Sequence, residues 1–190
     1  MRNFASNQPR RIRLWSTMSV CLMAFAAIPS QAASISFYLN QSNRFPDDIN
    51  YISVTLTENA TGGVDILAKT LDPLSGHKNH VGIQKFAFSL TGETTGNITG
   101  LPDSWRVKEN KSIKDLGMFD VQLQGKGKER TDSLSFTVND VALTNFEPLF
   151  AAQATGFRHK HHSHSAYFTG STPLTPVPIP AGVWLFGAGL

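Results

Sequence analysis

Cysteine is almost absent from this sequence of 190 residues, in which Cys21 is the only one. It lies in an apolar N-terminal segment that we predict is removed from the mature chain. Val20 precedes it, whereas lipoprotein processing requires a small residue at that place, so we expect no lipid attachment. Disulfide bonds, a thiol nucleophile and thiolate metal sites are therefore excluded for the mature chain.

Acidic residues are missing from the first 32 positions, which contain the four arginines Arg2, Arg10, Arg11 and Arg13. The whole chain has 17 basic and 14 acidic residues, so positions 33–190 carry 13 basic and 14 acidic side chains, a net charge of −1. Binding to nucleic-acid phosphates needs a basic surface. The charge distribution therefore argues against a nucleic-acid partner, although the sequence pI is about 9.1.

A long hydrophobic run is missing as well. The apolar stretch Leu14 to Ile28 is shorter than the roughly 20 residues of a membrane-spanning helix, and Pro29 ends it. Its place behind the arginines is typical of a secretory signal peptide, which we assign to residues 1–32. The small residue Ala32 and the small residue two places before it predict cleavage between Ala32 and Ala33.

The route of export follows from the arginine pattern. Arg10 and Arg11 form the pair that twin-arginine export uses. Arg13 stands where that signal prefers an aromatic residue, so we expect the general secretory route.

Alternation of apolar and polar residues extends from Ile35 to about Thr169, and this pattern indicates strands with one buried face. Gly62 and Gly63 follow Asn59 between two such runs and predict a hairpin. The residues predicted to point inward are Ile52, Val54, Leu56, Val64, Ile66, Ala68, Phe86, Phe88, Leu90, Phe119, Val121, Leu123, Leu134, Phe136 and Val138.

These runs predict an all-β domain, a jelly-roll-like antiparallel β-sandwich of about seven or eight short strands. The best helix candidate is Thr144 to Gln153, which Pro148 limits to a turn or two. After Gly170 the sequence STPLTPVPIP favours extended polyproline geometry over packing. We therefore assign the sandwich to residues 33–170 and a Pro-rich linker to residues 171–176.

Histidines are concentrated in the segment RHKHHSHS. Alternate positions of a strand share a face, so pairs of these imidazoles can chelate zinc, nickel or copper if the fold brings them to His77 and His80. Arg158 and Lys160 oppose cation binding there, so we expect no metal cofactor. The candidate ligands are His159, His161, His162 and His164.

Catalytic motifs are absent: no nucleophile elbow, phosphate-binding glycine loop or zinc-protease helix motif occurs. The acidic residues are scattered, and no pair is marked as the two carboxylates of a glycosidase. We therefore expect no enzyme and no cofactor. Trp105 is the one Trp of the predicted domain and is a candidate sugar-stacking residue if it is exposed. The alternative is a Trp that seals one end of the core.

The C-terminal sequence VPIPAGVWLFGAGL resembles the sorting signals of PEP-CTERM proteins in their V-P-L-P-A (VPLPA-CTERM) variant. The resemblance implies that an exosortase, a membrane-bound cysteine protease of Gram-negative bacteria that make exopolysaccharide, processes the chain. The matching residues of this signal, which covers residues 177–190, are Val177, Pro178, Pro180, Ala181, Trp184, Leu185, Phe186, Gly187, Gly189 and Leu190.

The family pattern continues through a full transmembrane helix to an arginine cluster, whereas this sequence stops at Leu190. The ten residues from Ala181 span about 15 Å as a helix, half of a bilayer. We expect the sequence to be an incomplete copy of a longer one, and membrane association only where this segment is completed.

The resemblance and the leader together predict an exported structural protein of the cell surface or of the exopolysaccharide or biofilm matrix. Its implied partners are exosortase and an extracellular polysaccharide. A carbohydrate-binding module that uses Trp105 is the first alternative. A secreted polysaccharide hydrolase that uses two of the scattered acids is the second.

Overall fold

The structure, a computed structural model, describes residues 32–72, 74, 81–92, 97–159 and 162–170. These residues form eleven β-strands in two antiparallel sheets and, within the ranges just given, no α-helix. The predicted all-β sandwich is confirmed. The strands are β1 (Ser34–Leu39), β2 (Gln41–Ser42), β3 (Ile52–Glu58), β4 (Val64–Thr70), β5 (Gly82–Leu90), β6 (Asn97–Thr99), β7 (Trp105–Ser112), β8 (Met118–Gly125), β9 (Ser133–Asn139), β10 (Phe146–His159) and β11 (His162–Gly170).

The two sheets differ in size. One has five strands in the order β1-β3-β4-β9-β6, and the other has six in the order β2-β11-β10-β5-β8-β7. The predicted hairpin is present, since β3 and β4 pair from Ile52↔Thr70 to Glu58↔Val64. Its turn is closed by Asn59, whose Oδ1 accepts a hydrogen bond from the N–H of Gly63 at 3.0 Å.

The core lies between the sheets, and fourteen of the fifteen residues that the alternation selects belong to it. Phe119 is the exception, because it is buried in a separate hydrophobic cluster. All fifteen predicted inward residues are buried, none with more than 4% of its surface exposed. Phenylalanines from the two sheets meet there: the ring of Phe136 on β9 lies 6.0 Å from those of Phe86 and Phe88 on β5. Ring pairs at this spacing add to the hydrophobic stabilisation that burial provides.

The helix prediction for Thr144 to Gln153 is wrong. Leu143–Asn145 forms a short 3-10 helix, and the rest of the segment belongs to the 14-residue strand β10. Both faces of β10 are buried between Phe150 and Phe157, so the strand lacks the apolar–polar alternation by which strands are identified. Three further strands, β2, β6 and β7, are short or polar and were not predicted either, which is why the sandwich has more strands than expected.

The outer face of the six-stranded sheet is covered in its middle by the β7–β8 connection. Ile113 from this connection packs with Phe119, Ala87 and Ala151 in a second, smaller hydrophobic cluster. The ammonium group of Lys114 lies 5.4 Å from the ring centroid of Tyr167, at cation–π distance. This cover buries Ala151 of β10. In the described part of the chain no helical segment has the length and hydrophobicity of a membrane span.

Candidate functional site

A basic pocket lies at the edge of the six-stranded sheet, where β7 meets the end of β8. It has a volume of about 210 Å³. Three cationic side chains, one amide side chain and two glycines line it. These residues are Arg106, Lys108, Gln124, Gly125, Lys126 and Gly127.

The β7–β8 ladder places the first three of these side chains on one face. Arg106 pairs with Gln124, and Lys108 follows Arg106 by two residues, so the three side chains lie on the same side of the sheet. Lys108 Nζ donates a hydrogen bond to Gln124 Oε1 at 2.6 Å. This bond holds the lysine against the sheet, and the two amide N–H donors of Gln124 take no part in it.

The turn after β8 supplies the other side of the basic pocket. The N–H of Lys126 donates to the carbonyl oxygen of Ser104 at 2.8 Å, which ties the turn to the start of β7. Gln84 Nε2 donates to the carbonyl oxygen of Gly127 at 2.7 Å, which ties it to β5. A Cβ atom at Gly125 would overlap the Glu129 carbonyl oxygen. These contacts fix the conformation of the turn without a bound ligand.

Positive charge accumulates on this face of the sheet. Lys85 on β5 pairs with Gln124 and is therefore next to the pocket. Burial lowers the pKa of Lys85, and the positive charge of Lys108 lowers it further. The second effect is repulsion between like charges, and an anion placed among these groups would relieve it.

A second pocket of about 390 Å³ lies at the β3–β4 turn. Glu58 and Asp140 contribute carboxylates to its lining, beside Asn59 and the two turn glycines. The side-chain oxygen of Asn59 already accepts hydrogen bonds within the turn, from the N–H groups of Thr61 and Gly63. Among the described residues no three His, Cys, Asp or Glu side chains lie close enough to hold a metal ion.

Trp105 is not exposed. Its side chain has 8% of its surface accessible and packs with the main hydrophobic core at the start of β7. A ring buried to this extent offers no open face for stacking on a sugar, so the arrangement agrees with the alternative in which the indole seals the core.

The histidine segment forms the tips of β10 and β11. His159 and His162 are paired opposite each other in the ladder, while His161, His77 and His80 lie outside the described residues. His164 Nδ1 lies 3.4 Å from Arg44 Nη2, so a guanidinium group is adjacent to that ring. A neighbouring cation opposes the binding of a metal ion at His164.

The predicted signal-peptide cleavage site lies just before the first strand of the sandwich. Ala32 and Ala33 are exposed and directly precede β1, and the carbonyl oxygen of Ala33 accepts a hydrogen bond from the N–H of Glu58 at 2.9 Å. Residues 177–190, the predicted tail signal, lie outside the described residues, as do residues 1–31 of the predicted leader and residues 171–176 of the predicted linker. At Gly170, the last described residue, the backbone lies beside Tyr38 on β1.

The basic pocket was not predicted from the sequence. The segments RVK and GKGKER contain its cations, but the first lacks apolar alternation and the second is typical of an ordinary turn. Their proximity depends on the β7–β8 pairing, which no local pattern encodes. Comparison with protein-family models, with curated proteins and with solved structures gives no match for this chain.

Proposed function

We propose that this chain is an exported structural protein of the cell surface or exopolysaccharide matrix of a Gram-negative bacterium, sorted by exosortase through its C-terminal V-P-x-P signal. The general secretory route exports it. The β-sandwich is the part that acts outside the cell, without catalysing a reaction.

The proposal is supported by the sequence of two segments, residues 1–32 and 177–190, which are typical of an export signal and resemble a sorting signal and which flank the sandwich in the chain. The leader ends next to Ser34, where β1 begins, and the Pro-rich linker starts directly after β11. Thr169 near the end of β11 accepts a hydrogen bond from the N–H of Asn40 at 3.1 Å, so the exit of the chain is fixed against its first strands. The described strands all lie between the two segments in the chain, so removal of either segment would remove none of these strands.

The acidic side chains support a structural role over a hydrolytic one. Asp65 Oδ1 accepts hydrogen bonds from Asn59 and Thr137 at 3.0 and 2.7 Å, which link three strands' ends. Asp120 Oδ2 accepts one from the N–H of Leu90 at 3.0 Å. These two carboxylates therefore take part in contacts within the sandwich, which favours a structural role for them over a catalytic one.

The sorting step is tested with a version of the chain whose tail is extended by apolar residues and arginines to the full family pattern. In a cell that contains exosortase, we expect this version to be trimmed near Pro178 and Pro180. Changing both prolines to Ala should abolish trimming and leave export intact, because the leader acts independently. The matched control is Pro173→Ala, which changes the linker outside the signal. Western blots of fractionated cells measure the result, and trimming that persists in the double variant would contradict the proposal.

A further inference from the structure

We propose that the basic pocket formed by Arg106, Lys108 and Lys126 binds the carboxylate of an acidic sugar unit in an extracellular polysaccharide. The inference rests on the proposed function, because it names the ligand class of a matrix protein. In this proposal the protein contacts the matrix through the edge of the six-stranded sheet.

The charge of the pocket selects an anion. Its three cationic side chains come from two segments of chain and converge on a volume of about 210 Å³. Lys108 is held by Gln124 at 2.6 Å, and the guanidinium of Arg106 offers the paired N–H groups that match a carboxylate. Because the turn is fixed by its bonds to Ser104 and Gln84, little ordering is required on binding.

The small volume of the pocket favours a single sugar acid over a larger ligand, and its polar lining is suited to the hydroxyl groups of a sugar. Pockets for whole drug-sized ligands begin at roughly 300 Å³, so this one accommodates a single charged group with part of a ring. The amide of Gln124 adds hydrogen-bonding capacity for hydroxyl groups.

Nucleic acid is the less favoured partner. Proteins that bind single strands stack bases on aromatic rings, and none of the six lining residues is aromatic. Duplex binding requires a broad basic surface, whereas positions 33–190 have a net charge of −1.

The test uses the purified full chain and measures its binding to polygalacturonate, with neutral dextran and duplex DNA as comparison probes, at low and physiological salt. We expect binding to polygalacturonate that weakens with salt and no binding to dextran. The double variant Arg106→Gln and Lys126→Gln should weaken it by about tenfold or more, since two charge-assisted contacts are lost. Lys69→Gln is the matched control, because Lys69 is an exposed lysine on β4 in the other sheet, and it should bind like the unchanged chain.

Three outcomes overturn the inference: no binding to polygalacturonate, equal loss in the Lys69→Gln control, or tighter binding to DNA than to the sugar acid. A fourth is full retention of sugar binding by the double variant; if that variant also self-associates, the cations serve to protect the edge strand β7 from pairing. The thermal midpoint of each variant shows that the fold is intact. A negative binding result would contradict this inference but not the proposed export of the chain, because the location of the chain is measured in a separate experiment.

Discussion

At the scale of single residues, the stability of the sandwich depends on a few positions where the surrounding structure does not accommodate a different side chain. Gly170 ends β11 against β1, and Tyr51 lies under the loop that follows β2. The importance of these two residues could not be predicted from the sequence, since a glycine before a Pro-rich stretch and a tyrosine at the start of a strand are both common. Their importance comes from neighbours that are distant in sequence.

Gly170→Ala should destabilise the protein. A Cβ atom at this position would overlap the carbonyl oxygen of Tyr38, and that oxygen belongs to the backbone and cannot turn aside. We expect a loss of roughly 1–3 kcal/mol in the free energy of unfolding, as for other overpacked sites, measured by urea denaturation. Ser135→Ala on β9, an exposed position, is the control and should change stability little. Equal stability of the two variants would contradict the close packing of β11 on β1.

Tyr51 should make stability sensitive to alkaline pH. Its hydroxyl donates to the carbonyl oxygen of Pro46 at 2.8 Å, and burial, with a further contribution from the charge of Asp47, raises its pKa above the ordinary value of 10.0. The unfolded chain therefore loses this proton at a lower pH than the folded protein, so the stability that Tyr51 contributes is complete below pH 10 and is lost above it.

The variant Tyr51→Phe tests this assignment. At neutral pH it should be less stable by about 1 kcal/mol, the contribution of one hydrogen bond. Denaturation at increasing pH should then show the difference between the two proteins shrinking above pH 10. A difference that stays constant with pH would show that the Tyr51 proton is not coupled to folding.

At the scale of elements, the sequence predicts the strands in which large apolar residues alternate with small or polar ones. The runs in β3, β4, β5, β8 and β9 have this pattern because one side of each faces the core, although β5 is buried on both faces. β10 is buried on both faces as well but has alanine on each of them, at Ala151 and Ala152, so no alternation marks it as a strand. The basic pocket could not be predicted for a related reason. The strand β7, which carries Arg106 and Lys108, is a polar edge strand with little buried surface, so its sequence has no alternation of apolar and polar residues.

Phe88→Asp should prevent folding. Phe88 is fully buried on β5 and its ring lies against those of Phe136 and Phe146. An unpaired charge in this place costs several kcal/mol, which is on the order of the whole stability of a domain. Far-UV circular dichroism should show loss of the β signal, whereas Ser135→Asp at an exposed position should keep it. A folded Phe88→Asp protein would mean that β5 is not at the centre of the sandwich.

At the scale of the whole molecule, we propose separate tasks for the leader, the sandwich and the tail. In this proposal the leader directs export, the sandwich provides a stable body with a cationic edge, and the tail directs sorting. This division predicts that changes in one part leave the others working. It also explains why the sequence is most informative about location: sorting signals are contiguous, whereas the basic pocket is assembled from segments that only the sheet brings together.

The location of the chain tests the account most directly. The full chain and a version without residues 1–32 are expressed in a Gram-negative bacterium that makes exopolysaccharide and contains exosortase, and both are quantified in the cytoplasm, at the cell surface and in the matrix. The account predicts that the full chain is found at the surface or in the matrix with Ala33 as its first residue, and that the shortened version stays in the cytoplasm. A full chain that remains in the cytoplasm and keeps Met1 would contradict it.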